Sequence, residues 1–185
     1  MESKILFINA CVRTDSRTKE LTRHLLDSLV GKITEVNLYR ENITPLDAEG
    51  LDRRNTHDYF HDEFKYAKQS KDADIIVIAA PYWDLSFPSV LKIYFEKVTV
   101  SGITFEYSKE GRPFGKCNAK KLYYITTSGG YIGENNFGFE YIKALAENFF
   151  GIGETYFYSA EGLDIFGTDA EVCMNEAKKH ISNSI

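Results

Sequence analysis

The residues best suited to chemistry lie near the start of the chain, where Cys11 precedes Arg17 and Thr18 in a C-x5-R-[ST] spacing. A cysteine thiolate at this spacing could attack a phosphate ester while the arginine binds the oxyanion. The same loop could instead only hold a bound phosphate. The hydroxyl groups of Ser16 and Thr18 and the free amides of a following helix would then bind the anion. Arg13 or Arg17 would add a charge-assisted hydrogen bond.

Two features of this loop weigh against a catalytic thiolate. Low-molecular-weight tyrosine phosphatases use the same spacing, but their loop wraps tightly around an oxyanion, and the segment here contains no glycine. Asp15 lies inside the loop and would repel both a thiolate and a phosphate. No Asp-Pro acid segment follows late in the chain. We therefore interpret the loop as a phosphate-binding one, with Cys11 as a bystander, and keep a phosphatase that uses Cys11 and Arg17 as a minor alternative.

Two later segments have residues that suit a flat ligand. Pro81 ends an apolar run and is followed by Tyr82, Trp83 and Asp84, and Trp83 is the only tryptophan of the chain. Gly129-Gly130 follows the next apolar run and would let the backbone approach a ligand closely. Hydroxyls, aromatics and glycines in three successive loops together predict one binding cleft.

The elements that must position these loops alternate between strand and helix. The strands read as short apolar runs without alternation, which indicates burial on both faces. They are predicted at Ile5–Ile8, Ile33–Leu38, Ile75–Ala80, Leu122–Ile125 and Thr155–Ser159. Helical patterns cover Leu21–Leu29, His57–Ser70, Val90–Val98, Tyr141–Phe150 and residues 169–182. This order predicts an α/β, flavodoxin-like three-layer sandwich, with a five-stranded parallel sheet of order 2-1-3-4-5 and helices on both faces. Ligands bind such a sheet beyond the carboxyl ends of its strands.

Composition excludes several classes of protein. The chain of 185 residues has a net charge of −5 with scattered basic residues, which argues against nucleic acid as a partner. We expect a single domain spanning residues 1–185. Three distant cysteines form no metal spacing and no disulfide framework, which fits the cytoplasm. No apolar run reaches membrane-spanning length, and His57 and His61 lack the glutamate of a zinc-protease motif, so we expect neither a membrane span nor a metal.

The quoted loops carry a family resemblance that extends over nearly the whole chain. Its parts are Pro81-Tyr82-Trp83-Asp84-Leu85 with Pro88 and Leu91-Lys92, SGITFEY at 101–107, ITTSGGYIG at 125–133 and SAEGLD at 159–164. With these segments the sequence resembles the flavodoxin-like NAD(P)H-dependent FMN oxidoreductases, in their azoreductase and quinone-reductase branch. Two positions depart from that pattern. The chain lacks the frequent serine beside Cys11, and Asp84 replaces the usual asparagine.

The resemblance implies a set of FMN-binding residues. It assigns the phosphate to Ser16, Arg17 and Thr18, the isoalloxazine to the segment Pro81, Tyr82, Trp83, Asp84 and Leu85, and the far side of the ring or the ribityl chain to Thr127, Ser128, Gly129 and Gly130. Phe105 and Tyr131 are expected to form substrate-pocket walls beside Tyr82 and Trp83. No catalytic side chain is expected, because the flavin would carry the chemistry.

The function implied by the resemblance is hydride transfer through flavin N5. NADH or NADPH would donate the hydride, and a flat quinone, azo or nitro aromatic would accept two electrons. Family members are typically homodimers, so a homodimer is expected on the same ground. The remaining alternative is an electron carrier like flavodoxin, although the hydroxyl- and glycine-rich phosphate loop of flavodoxin is absent here. The aromatic insertion at 99–118 favours a substrate pocket over a carrier.

Overall fold

The computed structural model describes residues 2–185, in which helices cover both faces of a five-stranded parallel sheet. The strands are β1 Lys4–Asn9, β2 Lys32–Asn37, β3 Ile75–Ala79, β4 Phe105–Tyr107, β5 Pro113–Gly115, β6 Lys121–Thr127 and β7 Glu154–Ala160. The helices are α1 Arg17–Leu26, α2 Ala48–Asn55, α3 Lys65–Asp72, α4 Ser89–Val98, α5 Phe137–Leu145 and α6 Ala170–Ser182. The main sheet has the order β2-β1-β3-β6-β7, so the predicted 2-1-3-4-5 arrangement is confirmed.

Strand β1 shows why the apolar runs do not alternate. Its Ile5 and Phe7 pack into the core that α1 and α6 cover, whereas Leu6 and Ile8 pack into the core under α4 and α5. Each side chain of the strand from Ile5 onward is therefore buried, and successive residues contribute to opposite cores. The same two layers enclose β3 and β6, which fixes the carboxyl ends of all three strands at one edge of the molecule.

The predicted helix at His57–Ser70 is wrong in its first half. Helix α2 ends at Asn55, a turn follows, and α3 begins only at Lys65 after a 3-10 turn at Asp62–Phe64. His57 has a positive φ of 55°, which a helix does not accommodate. The turn is held by Tyr59, whose hydroxyl donates to the carbonyl of Ser101 over 2.6 Å. His57 and His61 consequently do not share a helix face.

The aromatic insertion at 99–118 folds into an antiparallel hairpin of β4 and β5 that lies outside the main sheet. Phe105 begins β4 and is buried, and its ring packs edge-on against Phe149 at a centroid distance of 4.9 Å. Phe149 belongs to a π-helical turn, Ala146–Phe150, that continues α5. The hairpin thus attaches itself to the helical layer through Phe105.

Within residues 2–185, no helix has the length and apolar character needed to cross a membrane. In the same part of the chain, no cluster of three or more His, Cys, Asp or Glu side chains is arranged to hold a metal ion. Cys11, Cys117 and Cys173 are all free thiols.

Candidate functional site

A cleft of about 420 Å³ opens at the carboxyl edge of the sheet, a size typical of small-molecule sites. Four segments line it: the loop after β1 with the start of α1, and the loops after β3, β6 and β7. The cleft therefore lies at the switch point between β1 and β3, where the fold places its ligands.

The first wall is the loop after β1 and the first turn of α1. Ser16 is the N-cap of this helix, and its Oγ accepts a hydrogen bond from the amide of Lys19 over 3.3 Å. Arg13 and Arg17 also line the cleft. Two guanidinium groups, a hydroxyl and the positive end of a helix dipole therefore converge at this end of the cleft, a combination that favours an anion.

The thiol of Cys11 lies in this wall but is not set up as a nucleophile. The residue is buried, and its Sγ lies 3.8 Å from the carbonyl oxygen of Ala79. Burial raises the pKa of the Cys11 thiol, because a thiolate loses its hydration there. A phosphatase loop needs a lowered thiol pKa, so the surroundings of Cys11 argue against that chemistry.

The second wall is the loop after β3. The amide of Tyr82 donates to the carbonyl of Thr127 over 3.0 Å, and its hydroxyl donates to the carbonyl of Asn135 over 2.8 Å. Trp83 and Ser86 exchange two backbone hydrogen bonds and form a tight turn. The half-exposed indole of Trp83 is left facing the cleft.

Asp84 and Leu85 are not among the residues that line the cleft, and their predicted contact with the flavin stays a prediction. They are the two central residues of the tight turn, with φ values of 50° and 66°. Positive φ at both central positions is the geometry of a type I′ turn, in which Asn, Asp and Gly are preferred. The aspartate at 84 therefore serves a turn position in this structure.

The third wall is the loop after β6. Thr127, Ser128 and Gly129 line the cleft, whereas Gly130 does not. A Cβ atom at Gly129 would lie 2.6 Å from the Oδ2 atom of Asp164, so a larger residue at position 129 would displace the Asp164 carboxylate.

The fourth wall, Leu163 and Asp164, was missing from the predicted site. Backbone hydrogen bonds attach it to the third wall: Leu163 donates to Ser128 over 3.2 Å, and Asp164 donates to Gly129 over 2.9 Å. Asp164 also reaches the first wall, where its Oδ1 lies 3.0 Å from Nη1 of Arg17. The SAEGLD segment had signalled this loop, but nothing in the sequence indicated which of its residues face the cleft.

A second carboxylate fixes the same two loops from behind the cleft. Glu161 accepts hydrogen bonds from the amide of Ile132 over 2.9 Å and from the hydroxyl of Ser159 over 2.8 Å. The amide of Gly162 donates to the carbonyl of Gly130 over 3.0 Å. The glycine-bearing third wall is consequently held in place by the loop after β7.

The first and third walls also share a direct contact. The hydroxyl groups of Thr18 and Thr127 lie 2.6 Å apart and form one hydrogen bond across the floor of the cleft. The Thr18 side chain is buried, so its hydroxyl is committed to this contact. Thr18 therefore joins two walls of the site.

Most of the predicted residues meet in the cleft, and a few lie elsewhere. Those that line it are Ser16, Arg17, Thr18, Pro81, Tyr82, Trp83, Thr127, Ser128 and Gly129. The two predicted substrate-pocket residues do not. Phe105 is buried in the β4–β5 hairpin, and Tyr131 is largely exposed beside Gly162. The cleft is also lined by Arg13, which the sequence offered as an alternative to Arg17, by Cys11, interpreted as a bystander, and by residues that were not predicted to contact a ligand, Val12, Asp15, Leu163 and Asp164.

The donor set of the cleft fits a phosphate-bearing aromatic molecule such as FMN. Its cationic end offers guanidinium, hydroxyl and helix-terminal amide donors to a phosphate. Its other end offers the Trp83 indole, the Tyr82 ring and the open backbone at Gly129 to a flat ring system.

Comparison with known proteins gives a consistent result. A family model described as "Flavodoxin-like fold" matches residues 3–185. A protein of Lachnoclostridium phytofermentans named FMN-dependent NADH:quinone oxidoreductase is 35% identical, covering 96% of this chain and 95% of that protein. A protein of Clostridium perfringens with the same name is 36% identical, covering 94% and 93%.

Solved structures share the fold at lower identity. A crystal structure of azoreductase from Bacillus anthracis has a TM-score of 0.85 at 23% identity, covering 98% of this chain and 97% of that one. An FMN-dependent NADH-azoreductase from Bacillus anthracis in complex with FMN has a TM-score of 0.82 at 24% identity, with coverages of 98% and 97%. At these identities the likeness establishes the fold.

Proposed function

The chain belongs to the flavodoxin-like fold family, and on that premise we propose that it is an FMN-dependent oxidoreductase that passes electrons from NADH or NADPH to a quinone. NADH and quinone are the substrates in the names of the relatives that are more than a third identical. Azo and nitro aromatics are further acceptors in this proposal, because they share the flat shape of a quinone. The proposed FMN-binding domain spans residues 1–185.

The observation that supports this function most strongly is the chemical contrast between the two ends of one cleft. The loop after β1 presents Arg13, Arg17 and Ser16 to the cleft, and the loop after β3 presents Tyr82 and Trp83; these two walls are its phosphate end and its ring end in this proposal. A phosphate alone would need only the first end, and a flat apolar ligand alone would need only the second. FMN carries both groups on one molecule, so it uses the whole cleft.

Bound FMN supplies the redox chemistry, which is hydride uptake from the nicotinamide and delivery of two electrons to the acceptor. The chain binds and orients. Arg17 and the first-turn amides of α1 hold the phosphate, and Ser16 adds its hydroxyl. Trp83 flanks the ring system, and the glycine at 129 lets backbone come close to it. Reduction of a quinone to its hydroquinone consumes one proton in addition to the hydride, and because the cleft is open to solvent, water supplies that proton and no side chain is assigned to donate it.

A spectroscopic titration tests the proposal. Purified protein is mixed with FMN under anaerobic conditions and then with NADH or NADPH, and the flavin absorbance is followed before and after a quinone is added. We expect bound FMN to bleach with the nicotinamide and to recover with the quinone. A protein that neither binds FMN nor bleaches it contradicts the function. Bleaching without recovery on any acceptor would indicate an electron carrier instead.

An aryl phosphate assay on the same protein tests the phosphatase alternative. We expect no hydrolysis, because the Cys11 thiol has a raised pKa. Hydrolysis that Cys11→Ser abolishes would support the phosphatase.

We further propose that the enzyme works as a homodimer in the cytoplasm. Large aromatic side chains are exposed in or directly after the loops that follow β3, β6 and β7, namely Trp83, Tyr131, Phe137 and Phe166. Exposed aromatic side chains are enriched on surfaces that another chain covers. The three free thiols fit a reducing compartment. Light scattering after size-exclusion chromatography gives the mass in solution, and a monomer at micromolar concentration contradicts the dimer.

A further inference from the structure

Asp164 occupies a defined position although its carboxylate is mostly exposed. Its amide donates to the carbonyl of Gly129 over 2.9 Å, and its Oδ2 lies where a Cβ on Gly129 would approach within 2.6 Å. The backbone and the side chain of Asp164 therefore both contact the loop after β6. Its carboxylate also contacts Arg17, which is 147 positions away in the sequence.

Asp164 and Arg17 form a close ion pair, but another anion can replace the carboxylate as the partner of Arg17. Nη1 of Arg17 and Oδ1 of Asp164 lie 3.0 Å apart, while the two side chains are 46% and 72% exposed. Exposed ion pairs of this kind contribute little to stability, because water and salt compete for both charges. A phosphate dianion is a stronger partner for a guanidinium than a single carboxylate oxygen, since it offers a bidentate, charge-assisted contact.

The charged residues around the cleft indicate how the Arg17–Asp164 pair lowers the affinity for an anion. Arg13 and Arg17 contribute two positive charges, and Asp15 and Asp164 contribute two negative ones. These four charges sum to zero, and the carboxylate of Asp164 lies against Arg17, one of the two cations. A flavin phosphate must displace the carboxylate and then bind near it, whereas a flavin without a phosphate meets neither cost.

We propose that Asp164 competes with the flavin phosphate for Arg17, and so weakens the preference of the cleft for FMN over a flavin that lacks the phosphate. The inference rests on the proposed function, because it assumes that FMN binds in this cleft. Asp164 acts here through Arg17 as a specificity-determining residue and has no part in electron transfer.

The test is a comparison of two flavins on apoprotein of the wild type and of Asp164→Asn. Quenching of flavin fluorescence gives the Kd for FMN and for riboflavin, which has the same ring and no phosphate. We expect the variant to bind FMN about 3- to 5-fold more tightly, which is the upper range for the removal of one exposed competing charge. We expect riboflavin binding to change by less than about twofold, because riboflavin makes no demand on Arg17.

Asp15→Asn is the matched control, since it removes one negative charge from the same cleft without removing the partner of Arg17. Asp15 repels the phosphate but does not compete for Arg17, so we expect Asp15→Asn to tighten FMN binding by about twofold, less than Asp164→Asn does. The double variant Arg17→Gln with Asp164→Asn completes the test. In the Arg17→Gln background, Asp164→Asn is expected to give no gain, because the group for which the carboxylate competes is gone.

Several results would overturn the inference. Weaker or unchanged FMN binding by Asp164→Asn would show that the carboxylate orients Arg17 or has no role. An equal change in Kd for both flavins would mean that Asp164 acts through its contact with the loop after β6. An equal gain from Asp15→Asn, or a full gain in the Arg17→Gln background, would indicate general repulsion. Failure of the wild type to bind either flavin contradicts the proposed function itself, so the two failures are distinguishable.

Discussion

The two ends of the cleft are built by different means. At the phosphate end, the binding groups are long side chains at a helix N-terminus, and Arg17 is held only by an exposed ion pair. At the ring end, the wall is fixed by backbone hydrogen bonds, such as the one from Tyr82 to Thr127 and the pair between Trp83 and Ser86. The phosphate end therefore selects a ligand by charge, and Arg17 can exchange its carboxylate partner for another anion. The ring end selects by shape, and its backbone is fixed in position.

This difference separates affinity from placement. Charge-assisted hydrogen bonds are individually strong. A contact to the phosphate should therefore contribute more binding free energy than a contact at the ring end. Backbone attachment gives less affinity per contact but holds a ring system in a defined place, which electron transfer between two flat molecules requires. Substitutions at the two ends should consequently differ in whether they discriminate between phosphorylated and unphosphorylated flavins.

The largest effect should come from removing the phosphate from the ligand. We expect the wild-type protein to bind riboflavin at least about 100-fold more weakly than FMN, because riboflavin cannot form the two or more charge-assisted hydrogen bonds that the phosphate accepts. Fluorescence titration of the apoprotein with each flavin measures the ratio. Equal affinities would show that the cationic end does not hold the phosphate and would remove the contrast between the two ends.

A smaller effect is expected from Trp83→Ala at the ring end. Removal of the indole should weaken FMN and riboflavin binding alike, each by about 10-fold, since the indole packs against the ring system that both flavins share. The same titration measures both values, and Trp83→Phe serves as the control that keeps an aromatic face. A weakening confined to FMN would place Trp83 at the phosphate end and contradict the comparison.

Thr18 connects the first and third walls of the cleft. Its substitution should therefore mainly lower the free energy of unfolding, with little effect on the preference for FMN over riboflavin. Thr18→Val removes the hydroxyl that lies 2.6 Å from that of Thr127. We expect the free energy of unfolding to fall by about 1 kcal/mol, because the variant cannot form this hydrogen bond in a part-buried site. Urea denaturation of the apoprotein measures it. Thr18→Ser keeps the hydroxyl and should stay closer to the wild type; an equal decrease in both variants would point to packing.

The smallest effect on activity is expected at Cys11. Cys11→Ser should leave the rate of quinone reduction within about twofold of the wild type, because the thiol has no assigned step. Since burial raises the pKa of this thiol, alkylation at pH 8 should be slower than for an exposed cysteine and should accelerate as the pH rises. Mass spectrometry of the alkylated peptide follows the reaction. Fast labelling at neutral pH would show a reactive thiolate.

The fold was largely predictable because its strands are buried on both faces. The runs Ile5–Ile8 and Leu122–Ile125 are apolar without alternation, and that pattern requires helices on both sides. The helix predicted from His57 failed because a weakly periodic, polar segment carries no signal that distinguishes a helix from a turn. The turn there depends on a hydrogen bond from the Tyr59 hydroxyl to the carbonyl of Ser101, a residue outside the segment.

The sequence by itself determined which residue types would stand at the carboxyl ends of the strands. Hydroxyls, arginines, aromatics and glycines follow β1, β3 and β6 in that order, and local rules for strand and helix ends place them there. Only the tertiary structure decided which of them face the cleft. Trp83 lines the cleft, whereas its neighbours Asp84 and Leu85 in the tight turn do not, and Phe105 packs against the helical layer.

The contact between Arg17 and Asp164 is the clearest case of what the sequence could not decide. It requires β7 to lie beside β6 and the loop after β7 to cross toward the start of α1, over a separation of 147 positions. No local pattern encodes such a distance, because it results from the packing of the whole sheet between its helices. The partners available to a charged side chain are set by the fold, whereas the charge itself is set by the sequence.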